Sequence, residues 1–153
     1  MRRLLPTLAI LLAFANPAAA QFVDNEQLLK VKALEVKVAD NVIDGCLSEP
    51  NSVKIEAEVV LRRSGIRVTD TDRSHYLYIT ALGYEISGGC AVSWGIEVWI
   101  GEPLQDGTVG LVKAYDYGGM LTGHKSSLQQ RLRAQVNETV THLANEILKA
   151  RGN

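Results

Sequence analysis

The sequence predicts an α+β fold: a two-layer sandwich in the order β-α-β-β-β-(β)-α, with a mostly antiparallel sheet and two helices on one face. Three observations carry this expectation. Val92, Trp94, Ile96, Val98 and Ile100 recur at every second position, the pattern of a strand that buries one face. Leu128, Leu132, Val136, Val140, Leu143 and Ile147 fall on one stripe of a long helix. Gly88-Gly89 and the segment from Glu102 to Gly107 mark short connections between neighbouring strands, which makes an antiparallel meander.

The first segment is expected to stand outside the fold. Arg2 and Arg3 form a basic start, Leu4 to Ala15 an apolar run, and Ala18-Ala19-Ala20 the small residues that a signal peptidase accepts. Residues 1–20 therefore read as a cleaved signal peptide, and residues 21–153 as a single α+β domain in the periplasm or secreted. The apolar run is shorter than the ~20 residues of a spanning helix, and no later run is long and apolar enough to serve. Removing 20 of the 153 residues leaves 133, with 14 Lys+Arg against 17 Asp+Glu. A chain that is 46% hydrophobic, 22% charged and close to neutral is not a disordered tail, nor a nucleic-acid binder acting by bulk positive charge.

Export decides how Cys46 and Cys90, the two cysteines of the chain, are read. In an oxidising compartment they suggest one disulfide, which would tie a helix end to a sheet corner. The alternatives are two buried thiols or a redox pair, and a redox pair normally has C-x-x-C spacing.

Along the mature chain, Leu29 to Ala39 alternates as a half-buried strand, with one slip of phase near Ala33-Leu34. Ser48 to Ile66 fits two patterns. Val53, Ile55, Ala57 and Val59 alternate as in a strand, but Val53, Ala57, Val60 and Leu61 have helical spacing. The end signals favour the helix: Pro50 in the first turn, Glu58 and Arg62 four apart, and Gly65 where a helix stops. Arg67 to Thr69, Tyr76 to Gly83, Ala91 to Ile100 and Val109 to Tyr117 are the further strands. Ser126 and Gln129 have the spacing of a capping box at the start of the last helix.

No complete catalytic constellation is visible, so the chain is expected to be a non-enzyme with no cofactor. Gly118 to Ser126 approaches a phosphate loop, but His124 separates Gly123 from Lys125, where the motif needs lysine directly after glycine. His124 and Lys125, at a helix start with free backbone N–H groups, are candidates for an anion contact. Asp70, Asp72 and His75 offer three donors in one loop, too few for a metal site by themselves and otherwise a solvated turn. No G-x-S-x-G elbow is present. Tyr76 and Tyr78 share a face by alternation, as do Tyr115 and Tyr117, and all four are candidates for an aromatic binding face.

The stretches EAEVVLRRSGIRV, HYLYITALGYEI and CAVSWGIEVWI, with VNETVTHLANEILKA near the end, resemble a group of small exported bacterial proteins of α+β type with no assigned activity. More loosely, the element order is similar to the TolB N-terminal domain and related envelope accessory domains, a likeness of fold that does not fix function. The leading expectation is a soluble periplasmic (exported), non-enzymatic binding or accessory protein that acts through a sheet edge or face, with an envelope protein as possible partner and no nucleic acid. The alternative is a small-molecule or lipid carrier with a pocket between helices and sheet.

Overall fold

The computed structural model describes residues 21–42, 46–49, 51–71 and 74–152. The signal segment, Pro50 and Asp72 lie outside the described residues. Six strands and three helices follow in the order β1 (Gln21–Val23), α1 (Asn25–Leu28), β2 (Ala33–Val42), α2 (Asn51–Arg63), β3 (Arg67–Val68), β4 (His75–Ile86), β5 (Gly89–Pro103), β6 (Val109–Gly123) and α3 (Lys125–Ala150).

The strands form one sheet in the order β1-β6-β5-β4-β2-β3. β4, β5 and β6 make the expected antiparallel meander, and β1 adds antiparallel to β6. β2 runs parallel to β4 and β3, so the sheet is mixed. A parallel neighbour needs a crossover, and α2 lies on that path between β2 and β3.

α2 is the helix that its end signals indicate. Val53, Ala57, Val60 and Leu61 are buried. Arg62 pairs with Glu58 at 3.2 Å, one turn earlier. Gly65 takes a left-handed φ of 77°, and Ile66 N–H returns to the Leu61 carbonyl at 2.9 Å, closing the helix end. α3 lies beside α2. The Arg133 guanidinium and the Asn137 amide both donate to the Glu56 carboxylate, at 2.9 and 2.7 Å. The core lies between this helical layer and one sheet face. There Leu128, Leu132, Val136 and Leu143 meet Val92, Ile96 and Val98, all fully buried.

Four details differ from the sequence reading. Leu29 to Lys32 is not strand: α1 ends at Leu28, which is buried, and β2 starts at Ala33, where the alternation slips phase. β1 and the four-residue α1 add a strand and a third helix that the expected order lacks. The capping box is absent, because His124 is the N-cap and its ring accepts from Ser126 N–H at 3.4 Å. Gln129 instead reaches across to the Ser52 hydroxyl and the Glu49 carbonyl, at 2.6 and 3.0 Å. Finally, Gly118 to Gly123 belongs to β6 rather than to a loop.

Cys46 and Cys90 form a disulfide, with Cα atoms 5.9 Å apart. It joins the segment before α2 to the start of β5, which is the tie the sequence suggested.

Candidate functional site

The helices cover one face of the sheet, and no described element covers the other. Strand alternation decides which side chains stand on that open face. Leu77, Ile79, Val98 and Ile96 point to the core, so Tyr76, Tyr78, Trp99 and Glu97 point outward. Register places Trp99 opposite Tyr76, and Glu97 opposite Tyr78. On the flanking strands, Lys37 lies beside Tyr78 and Lys113 beside Trp99.

These residues make a continuous polar-aromatic cluster. Lys113 Nζ donates to Glu97 Oε1 at 2.6 Å and to Asp116 Oδ2 at 2.8 Å. It also lies 5.2 Å from the Trp99 ring centre. Trp99 Nε1 donates to the other Glu97 oxygen at 2.8 Å. Lys37 Nζ stands 4.4 Å over the Tyr76 ring, which meets Tyr78 edge-on at 6.4 Å. The Asp116 and Glu97 carboxylates hold the Lys113 ammonium above its ordinary pKa. Lys37, Tyr76, Tyr78, Glu97 and Trp99 enclose a shallow recess of about 370 Å³.

Beyond a row of small residues, Thr80, Gly95 and Gly118, the same face becomes apolar. Leu82, Tyr84 and Ile86 on β4 and Met120 on β6 are exposed there, Met120 to 72%. Phe22, which registers with Asp116, is exposed on the same face, and Leu111 and Val109 form a second apolar group at the other end of β6, beyond Lys113. Seven of the ten large apolar side chains that stand exposed among the described residues are thus on the open face; Leu29, Ile55 and Leu104 are the others.

The four candidate tyrosines do not share one surface. Tyr76 and Tyr78 are on the open face. Tyr115 and Tyr117 share the helix side, because they register with Val98 and Ile96. Tyr115 is fully buried, with its hydroxyl 3.4 Å from His142 Nδ1, and burial pushes its phenol well above the usual range. Tyr117 packs on Trp94 at 5.9 Å. Alternation alone could not reveal the partners of Tyr76 and Tyr78. A bulge between Val98 and Trp99 leaves Ala114 without a counterpart on β5. That extra residue brings Lys113 and Asp116, three apart, onto one face.

The other candidates are placed as follows. Lys125 donates to the Glu85 carboxylate at 2.8 Å, and both line a recess of about 230 Å³ with His124, Gly88 and Gly89. An anion entering there would meet a like charge. His75 opens β4, with its Nδ1 2.8 Å from the Ser74 hydroxyl. Among the described residues no group of three or more His, Cys, Asp or Glu could hold a metal ion, and no helix is long and apolar enough to cross a membrane. A second cavity, between α3 and β6, holds about 170 Å³ and is lined by Gln21, Tyr115, Tyr117, Glu138, Thr139 and His142.

No family model matches the chain, and no curated protein matches it. Solved structures do. The chain is similar to the PelC dodecamer from Paraburkholderia phytofirmans at 15% identity and a TM-score of 0.51, over 82% of this chain and 96% of that one. A variant of the same protein in another crystal form gives a TM-score of 0.50, with 95% of that chain covered. A minor lipoprotein from Acinetobacter baumannii, at 11% identity over 79% of this chain and 93% of that one, reaches a TM-score of 0.38, too low to carry an argument. At these identities the PelC likeness is one of fold.

Proposed function

We propose that this chain is an exported accessory protein of the bacterial envelope, without a catalytic centre, that assembles with further copies of itself through the helix-free face of its sheet. The observation that carries the reading is the concentration of exposed apolar side chains on that one face. Soluble monomers scatter such residues, whereas here they gather on one face, with Leu82, Tyr84, Ile86 and Met120 together at one end of it. The ionic groups nearby are already paired within the chain, as Lys113 is with Glu97 and Asp116. One ammonium against two carboxylates leaves a net negative charge on this face, which a partner covering it has to compensate.

The choice of partner is supported by fold analogy with a protein that forms dodecamers. Export is supported by the leader pattern ahead of Gln21 and by a disulfide, a bond that persists outside the cytosol. The carrier alternative finds less support. The cavity between α3 and β6 is smaller than the ~300 Å³ of a small-molecule pocket and has polar groups in its wall.

Light scattering on the purified 21–153 chain tests the reading. Assemblies larger than one subunit are expected, and Leu82→Glu with Met120→Glu should reduce them to monomers with an unchanged circular dichroism spectrum. A wild-type chain that stays monomeric at ~100 μM, a concentration at which a weak micromolar contact would be populated, overturns self-assembly.

A further inference from the structure

We propose that Gln21 is a modification site: once a signal peptidase cuts after Ala20, the α-amine of Gln21 closes on its own side-chain amide to give an N-terminal pyroglutamate. The inference rests on the export part of the reading above and goes beyond it.

The sequence A-A-A-Q puts glutamine directly behind the small residues of the expected cut. The first described strand begins at the same residue. Gln21, Phe22 and Val23 register with Tyr117, Asp116 and Tyr115. Asp24 N–H then donates to the Ala114 carbonyl at 2.8 Å, and the Asp24 carboxylate caps α1 through Gln27 N–H at 3.1 Å. Phe22 to Asp24 are therefore held against β6 and α1, and trimming past Gln21 would break strand pairing.

The Gln21 side chain itself is exposed, at the rim of the cavity that Glu138 and His142 also line. Among the described residues no hydrogen bond holds its amide, so it is free to fold back on the amine. The neutral α-nitrogen attacks Cδ, forming the lactam C–N bond. The bond from Cδ to Nε2 breaks, and the proton lost by the attacking nitrogen leaves with ammonia through water. No oxidant, reductant or cofactor enters the balance. The product loses about 17 Da and replaces an ammonium at the edge of β6 with an uncharged lactam.

The test is the intact mass of the full precursor, expressed in a bacterium with an envelope and purified at neutral pH from the envelope fraction. The expected species is residues 21–153, oxidised, less one ammonia, and blocked to Edman sequencing. Gln21→Glu, which lacks the amide leaving group, should keep a free amine and the same fold. A mass of residues 21–153 with a free glutamine amine overturns cyclisation and leaves the export reading standing. An intact precursor, or a cut elsewhere, overturns both.

Discussion

Removing the Cys46–Cys90 bridge should destabilise the domain by about 4 kcal/mol. The bridge closes a loop across a sequence separation of 44. On the chain-entropy relation, a loop of that length costs the unfolded chain ~13 cal/mol/K, or about 4 kcal/mol at 25 °C. Both cysteines are buried, so Cys46→Ala with Cys90→Ala removes the crosslink without exposing a new polar group. Urea unfolding of the oxidised chain and the double variant measures the difference. With a slope of ~2 kcal/mol/M, the midpoint should fall by about 2 M, and reducing the wild type should lower it comparably. Against a total stability of ~5–15 kcal/mol for a domain of ordinary size, that loss is large. A midpoint that moves by less than ~0.3 M under both treatments would refute the crosslink argument, because loop entropy acts on the unfolded chain however well the native packing adapts.

Other outcomes follow from single contacts. Tyr115→Ala should cost ~3–5 kcal/mol in thermal or urea unfolding, because the ring is fully buried, whereas Tyr115→Phe should cost under ~1 kcal/mol, since the hydroxyl contact to His142 is long. Gly118→Ala should destabilise by ~1–3 kcal/mol, since a Cβ there would stand 2.5 Å from the Trp94 carbonyl oxygen, a backbone atom that cannot swing away. The Arg133 and Asn137 hydrogen bonds hold the Glu56 carboxyl below its usual value of 4.5. Its contribution is present above that value and is lost as pH falls through the lowered one, so Glu56→Gln should flatten the acid limb of the stability–pH curve. Lys113→Met should release the Trp99 indole from its ionic cover and change tryptophan fluorescence while leaving the fold intact.

Periodicity made much of this architecture legible. β5 and α3 run for 15 and 26 residues, long enough for a repeat to declare itself. α2 needed its ends, since Val53 to Leu61 satisfies two periods and Pro50, Arg62 and Gly65 decide between them. β1 and α1 are three and four residues long and show no period. They exist because tertiary contacts hold them, through pairing with β6 and burial of Leu28. Gly118 to Gly123 looked like a loop because glycine carries no pattern, yet Gly118 and Gly119 are where the strand passes close to Trp94. Of the site, Tyr76 and Tyr78 were visible by alternation. Trp99, Glu97 and Lys113 became neighbours only through strand register, and Asp116 only through the bulge at Val98 and Trp99. A one-residue shift of phase has no signature in a single sequence.

The position of β1 constrains when the molecule can finish folding. Its partner residues, Tyr115 to Tyr117, lie more than ninety positions downstream. The guanidinium of Arg151 closes on the Val31 carbonyl across a separation of 120. A polypeptide threaded head-first through a narrow pore would emerge with its leading strand unmatched, and would stay open until the tail arrived. In an exported chain, late closure of this kind would keep the polypeptide pliable in transit and couple its final locking to release from the pore.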